Sequence, residues 1–244
     1  MLKRALVLSL IVLSVAVAQW AVAQSGTDLS LYREEQVSVS RYPGGMQMQM
    51  VTKSWITNQK MRTDAADGAD VTIVRADLDK VYSINMKRKV YSEVPIDVYR
   101  RTAKLSLAML SADPTYRWTN RTKTIGKWKC REVIVAEKTG AAGERMQTVW
   151  WVSEDSKLDN RLFRRIMAVT VGSEMDAETA RFFEKLANIP GYPVQTESSY
   201  TREGTTIKSV NKLIKLERRE IDESLFELPG GLTKIVVPMP GQLK

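Results

Sequence analysis

The chemistry open to this chain is bounded first by an absence: none of its 244 residues is a histidine. Ser-His-Asp and Cys-His nucleophilic arrangements are excluded, as are histidine-ligated zinc sites. Five glutamates, Glu34, Glu35, Glu132, Glu137 and Glu197, could form the paired carboxyls of a glycoside hydrolase, which needs two acids at the right separation and no fixed motif. In a chain with 27% charged residues, each reads first as a surface acid. Met46, Met48 and Met50 have the Met-x-Met-x-Met spacing of thioether Cu(I) sites. With no histidine to join it, the row reads better as flexible apolar filler for a core or a greasy cavity.

Other motifs fail on geometry. Arg62 to Asp70 holds three aspartates and Gly68, but Arg75 stands where a calcium loop needs its closing glutamate. An Asp-Gly turn between strands is the better account. Ser209 and Lys212 match Ser-x-x-Lys, yet in a strand a three-residue spacing sends them to opposite faces. Nucleophile elbows, phosphate loops and dinucleotide fingerprints are absent from the sequence. The chain reads as a non-enzyme with no cofactor and no metal.

The elements that would position these residues are mostly strands. Leu31 to Ser40 reads as a strand ending at the Tyr42-Pro43-Gly44-Gly45 turn, and Met46 through Trp55 as a second, with all three thioethers on one face. Val71 to Pro95 reads as a three-stranded antiparallel meander, because its β-rich runs are separated by only a few charged residues. From Ile96, residues Val98, Thr102, Leu105, Met109 and Ala112 recur at helical spacing, with Arg100, Arg101 and Lys104 on the opposite side. A threonine-rich connector then leads to strands over Trp128 to Lys138 and Arg145 to Ser153. Both alternating faces of Val149-Trp150-Trp151-Val152 are apolar, so both sides of the sheet need cover. Helices are expected over Leu158 to Val169 and from Asp176 to Leu186, and strands return from Tyr192, with Ile221 to Gly231 as a final partner.

Residues 1–23 read as a secretory signal: Lys3 and Arg4 precede an apolar run, and Ala21-Val22-Ala23 supplies the cleavage pattern. Residues 24–244 read as one domain in the periplasm or outside the cell, with retention of the leader as an anchor the competing reading. The single cysteine, Cys130, permits no internal disulfide and reads as a buried apolar residue. A net charge of +9 favours loose association with an anionic envelope surface, whereas no motif suggests nucleic acid.

The order of parts carries a resemblance. Asp77-Leu78-Asp79-Lys80-Val81-Tyr82, Lys89-Val90-Tyr91-Ser92-Glu93, Gly126-x-x-x-Cys130, Trp150-Trp151-Val152-Ser153, Gly191-Tyr192-Pro193-Val194 and Leu225-Phe226-Glu227-Leu228-Pro229 follow one another between a leader and the C-terminus. The chain resembles a family of secreted bacterial domains of unknown function, itself similar to the lipoprotein-carrier half-barrels of the LolA and LolB type. The resemblance implies an α+β fold: a strongly curved antiparallel sheet with about three helices on its concave side, enclosing an apolar cavity.

The expected role is a non-enzymatic binding module for a lipid, an acyl chain or a lipoprotein. The candidate lining is Met48, Met50, Trp55, Tyr82, Tyr91, Trp128, Trp150 and Trp151, although residue by residue each reads first as plain core packing. A basic protein binding anionic lipid or polymer is the alternative, and a carboxylate hydrolase the third.

Overall fold

The computed structural model describes residues 30–101, 116–139, 144–155, 169, 184–186 and 188–236. Twelve strands form one sheet: β1 (Ser30–Tyr42), β2 (Met46–Thr57), β3 (Lys60–Ala65), β4 (Asp70–Arg75), β5 (Lys80–Asn85), β6 (Val90–Pro95), β7 (Arg117–Ile125), β8 (Trp128–Thr139), β9 (Arg145–Ser153), β10 (Tyr192–Arg202), β11 (Thr205–Arg218) and β12 (Thr233–Lys234). Their spatial order is β12-β6-β5-β4-β3-β2-β1-β11-β10-β9-β8-β7. The sheet is curved and open, with β7 and β12 at its ends. Every pairing is antiparallel except that of β12 with β6.

The meander from Val71 to Pro95 forms β4, β5 and β6. Its first turn is a short 3₁₀ segment at Ala76–Leu78, closed by Asp79 in the left-handed region at φ 53°, a conformation that aspartate tolerates better than most residues. Gly191 is needed for a different reason. Its φ is +95°, and a Cβ there would stand 2.3 Å from the Ser153 carbonyl oxygen. The chain can therefore enter β10 only with glycine at this position.

Residues directly opposite each other in paired strands share a face, so the register sorts the side chains into two sets. On one face Leu31, Ile56, Met61, Val74 and Val81 pack against Ile96 and Tyr99 of a helical stretch at 96–101, and against Val169. On the other, Val71, Ile73 and Ile84 pack against the C-terminal segment through Phe226, Ile221, Leu228 and Leu232. We call these the helix-bearing and tail-bearing faces.

The tail is held by its backbone as well as by its apolar residues. Arg62 donates to the Leu225 carbonyl (3.2 Å), and Arg75 to the Phe226 carbonyl (3.3 Å) and the Glu227 carboxylate (2.8 Å). Asp222 accepts from the Ser224 amide at 2.9 Å. Phe226 is fully buried, which contributes about 2–3 kcal/mol.

Three expectations need correcting or bounding. The threonine-rich stretch before Ile125 is strand β7, not a connector; its burial alternates weakly because it is an edge strand. Residues 221–231 are not a strand: they cross the tail-bearing face through a 3₁₀ segment at Glu223–Phe226, and only Thr233–Lys234 pairs, beside β6. Pro229, Gly230 and Gly231 and the lack of alternation suit a strap better than a ladder. The helices expected over 96–112, 158–169 and 176–186 lie largely outside the described residues, which show helix at 96–101, 169 and 184–186. The fold described is mostly β, and about three helices are not confirmed.

Candidate functional site

The helix-bearing face changes character along the strands. At the β1–β2 turn, register aligns Met46, Arg41, Ile207, Tyr200 and Met146 across five strands. The next row is Met48, Val39, Ser209, Ser198 and Thr148, and the third is Met50, Val37, Asn211, Thr196 and Trp150. Met46, Met48, Met50, Met146, Tyr200 and Ile207 are all half-buried, whereas Gln47 and Gln49, pointing the other way from β2, are exposed. The methionines, Ile207 and Tyr200 give this face apolar patches that water partly reaches, interrupted by Arg41, Ser198 and Ser209, and the thioether side chains among them repack at small cost.

A polar band borders it. Arg33 and Glu35 lie side by side on this face of β1, 3.2 Å apart and both buried. Thr52 donates to the Glu35 carbonyl, and the Ser54 and Thr63 hydroxyls share a bond of 3.1 Å. Burial pushes the Glu35 carboxyl above the usual range, with Arg33 only partly offsetting it. Burial likewise pushes the Tyr192 phenol, beside Arg33, up to about 12. Beyond this band the face closes over the Leu31, Ile56, Met61 and Val74 core. The methionine end is thus the less covered apolar part of the face.

The predicted lining residues do not share one surface. Met48, Met50 and Trp150 lie on the helix-bearing face, in adjacent rows, with Trp150 only 1% exposed. Trp55, Tyr82 and Tyr91 lie on the tail-bearing face in the cluster around Phe226, and the two tyrosine rings meet edge-on at 6.3 Å. Trp151 and Trp128 share that opposite side on β9 and β8. Met146, Tyr200, Ile207 and Arg33 are not singled out from sequence, and Glu35 is singled out only as a candidate carboxylate. Met146-x-Thr148-x-Trp150 and Ile207-x-Ser209-x-Asn211 show the alternation, but only the register joins them to the methionine row.

Four of the five candidate glutamates are engaged, Glu35 with Arg33 as above. Glu197 accepts from Trp151 Nε1 (2.6 Å), Gln195 (2.7 Å) and Lys123 (3.1 Å), and Lys123 stands 3.8 Å from the Trp151 ring centroid. Burial pushes the Glu197 carboxyl up, and these donors more than reverse it, so it stays ionised at neutral pH. Buried Glu132 accepts from Thr119 and pairs with Arg121 at 2.9 Å. Glu34 accepts from Tyr32, and the side chain of Glu137 lies outside the described residues. Cys130 is buried, and burial pushes its thiol up to about 11, so it is not a thiolate at neutral pH. Among the described residues no group of three metal-ligating side chains converges.

A family model described as Domain of unknown function (DUF4412) matches residues 34–232. No curated protein matches. Among solved structures, an uncharacterized conserved protein from Thermus thermophilus is similar over 95% of this chain and 98% of its own, with 7% identity and a TM-score of 0.43. A DUF1329 family protein from Desulfovibrio piger is similar over 82% and 90%, at 12% identity and a TM-score of 0.38. An outer membrane lipoprotein-sorting protein domain from Vibrio parahaemolyticus is similar over 81% and 88%, at 10% identity and a TM-score of 0.32.

Proposed function

Because the chain belongs to the DUF4412 family of domains of unknown function, its activity must be argued from its own geometry, and we propose that it is a non-enzymatic binding module for a lipid, acyl chain or lipoprotein. The observation that carries this reading is the set of half-buried methionines Met46, Met48 and Met50 on one face of β2, with Met46 in register with Ile207, Tyr200 and Met146 across an open sheet. Such a surface offers apolar contact without a fixed shape, which suits a chain of variable length. Trp150 is buried beneath its inner end, and the Arg33–Glu35 band marks where apolar contact ends. Trp55, Tyr82 and Tyr91 serve the tail-bearing core instead.

The leader over residues 1–23 supports export to the periplasm or beyond, with residues 24–244 acting as one domain. The net charge of +9 supports looser contact with anionic envelope surfaces as a second mode. Salt separates the two: contact with charged vesicles weakens steeply as ionic strength rises, whereas acyl-chain binding hardly changes.

Native mass spectrometry of the protein purified from its own host tests the reading. Bound lipid, displaceable by a fluorescent fatty acid, is the expected result. A chain that is always ligand-free and never binds the fluorescent probe refutes it.

A further inference from the structure

A cavity of about 860 Å³ opens where β7, β8 and the end of β9 meet, and its chemistry differs from that of the methionine surface. Lys127, Lys129 and Arg131 contribute cations to its lining, and Thr122 and Thr124 contribute hydroxyls. Register places Thr124 opposite Lys129, and Thr122 opposite Arg131, across the β7–β8 pair. The donors of two strands therefore face one space.

Lys123 also borders the cavity but is committed to Glu197 and the Trp151 ring. Arg131 is fixed by donating Nε–H to the Thr119 carbonyl at 3.1 Å, with its guanidinium over the Trp118 ring. Lys127 and Lys129 are exposed and form no ion pair among the described residues; Lys127 lies 5.2 Å from the Trp128 ring centroid. Glu154 and Asp155 also line it, so the four cations outnumber the carboxylates. Val152 and Trp128 supply apolar wall.

We propose that this cavity binds a phosphate-bearing ligand. The anionic group lies among Lys127, Lys129 and the two threonine hydroxyls, and the organic part lies against Val152, on the same face as Lys129. Ammonium groups and hydroxyls are donors suited to phosphate oxygens, and the volume falls within the range of small-molecule sites. The proposal rests on this cavity and not on the methionine surface, so either can fail alone.

Titration calorimetry on the intact protein tests it, with inorganic phosphate, dihexanoyl phosphatidic acid and dihexanoyl phosphatidylcholine as probes, each lipid below its micelle concentration. Phosphatidic acid is expected to bind and to outcompete phosphatidylcholine. K127Q/K129Q weakens that binding about tenfold, while K53Q, on another part of the sheet, leaves it unchanged. Phosphatidic acid binding much more tightly than inorganic phosphate identifies a lipid head group as the source; equal affinity identifies free phosphate. The proposal is overturned if neither phosphate species binds, if K127Q/K129Q binds like the parent, or if K53Q is as damaging as the double variant.

Discussion

Arg33 and Glu35 stand two residues apart on one strand, project from the same face and meet at 3.2 Å, with side chains only 1% and 8% exposed. Removing one partner strands a buried charge, which costs about 3–5 kcal/mol, while replacing both with apolar residues of similar volume is close to neutral. In urea unfolding, R33M and E35Q should each lower stability strongly, and R33M/E35L should lose far less than the two single losses combined.

The same pair sets a pH trend. Burial holds the Glu35 carboxyl above its ordinary value of 4.5, so over that interval the native state binds more protons than the unfolded chain, and stability falls as pH rises. R33M/E35L lacks this effect. Its stability relative to the parent should therefore improve as pH is raised from below 4.5 through the raised native value, as read from urea midpoints across the range.

Arg75, held in place by Asp77, ties the tail to the sheet through the Phe226 carbonyl and Glu227. R75Q should loosen the strap, at a cost of about 2–4 kcal/mol for a nearly buried charged group losing several partners. Hydrogen exchange should accelerate in residues 221–234 before the rest of the sheet is affected. Bonding from Arg75 also holds the Asp77 carboxyl below its usual 3.8. That contribution is present above 3.8 and is lost as pH falls through the native value, so R75Q should flatten the acid limb of the stability curve.

Gly191 leaves no room for a side chain beside Ser153. G191A should cost about 2–4 kcal/mol, through steric overlap and a left-handed backbone that alanine resists. A fall in Tm of several degrees checks this.

The strands were legible where alternation or tight charged turns marked them. β2, with its Met-x-Met-x-Met row, and the β4–β6 meander are examples. β7 was not, because its edge position leaves an RWTNRTKTI pattern with little apolar alternation. The strap over Phe226 was misread as a strand because its fixing partners, Arg62 and Arg75, lie about 150 residues earlier. Trp150 and Trp151 were both recognised as needing cover, but which of them joins the methionines depends on the pairing of β9 with β10, and that register is not local information.

Binding by the methionine face of β2, and not by its glutamine face, is the central claim. Affinity for a fluorescent fatty acid, measured for the parent, M48D and Q49D, compares the same added carboxylate on opposite sides of one strand. M48D should weaken binding about tenfold or more, since it buries a charge in the apolar contact, while Q49D should match the parent. Equal loss in both variants, or no binding by the parent, would contradict that claim.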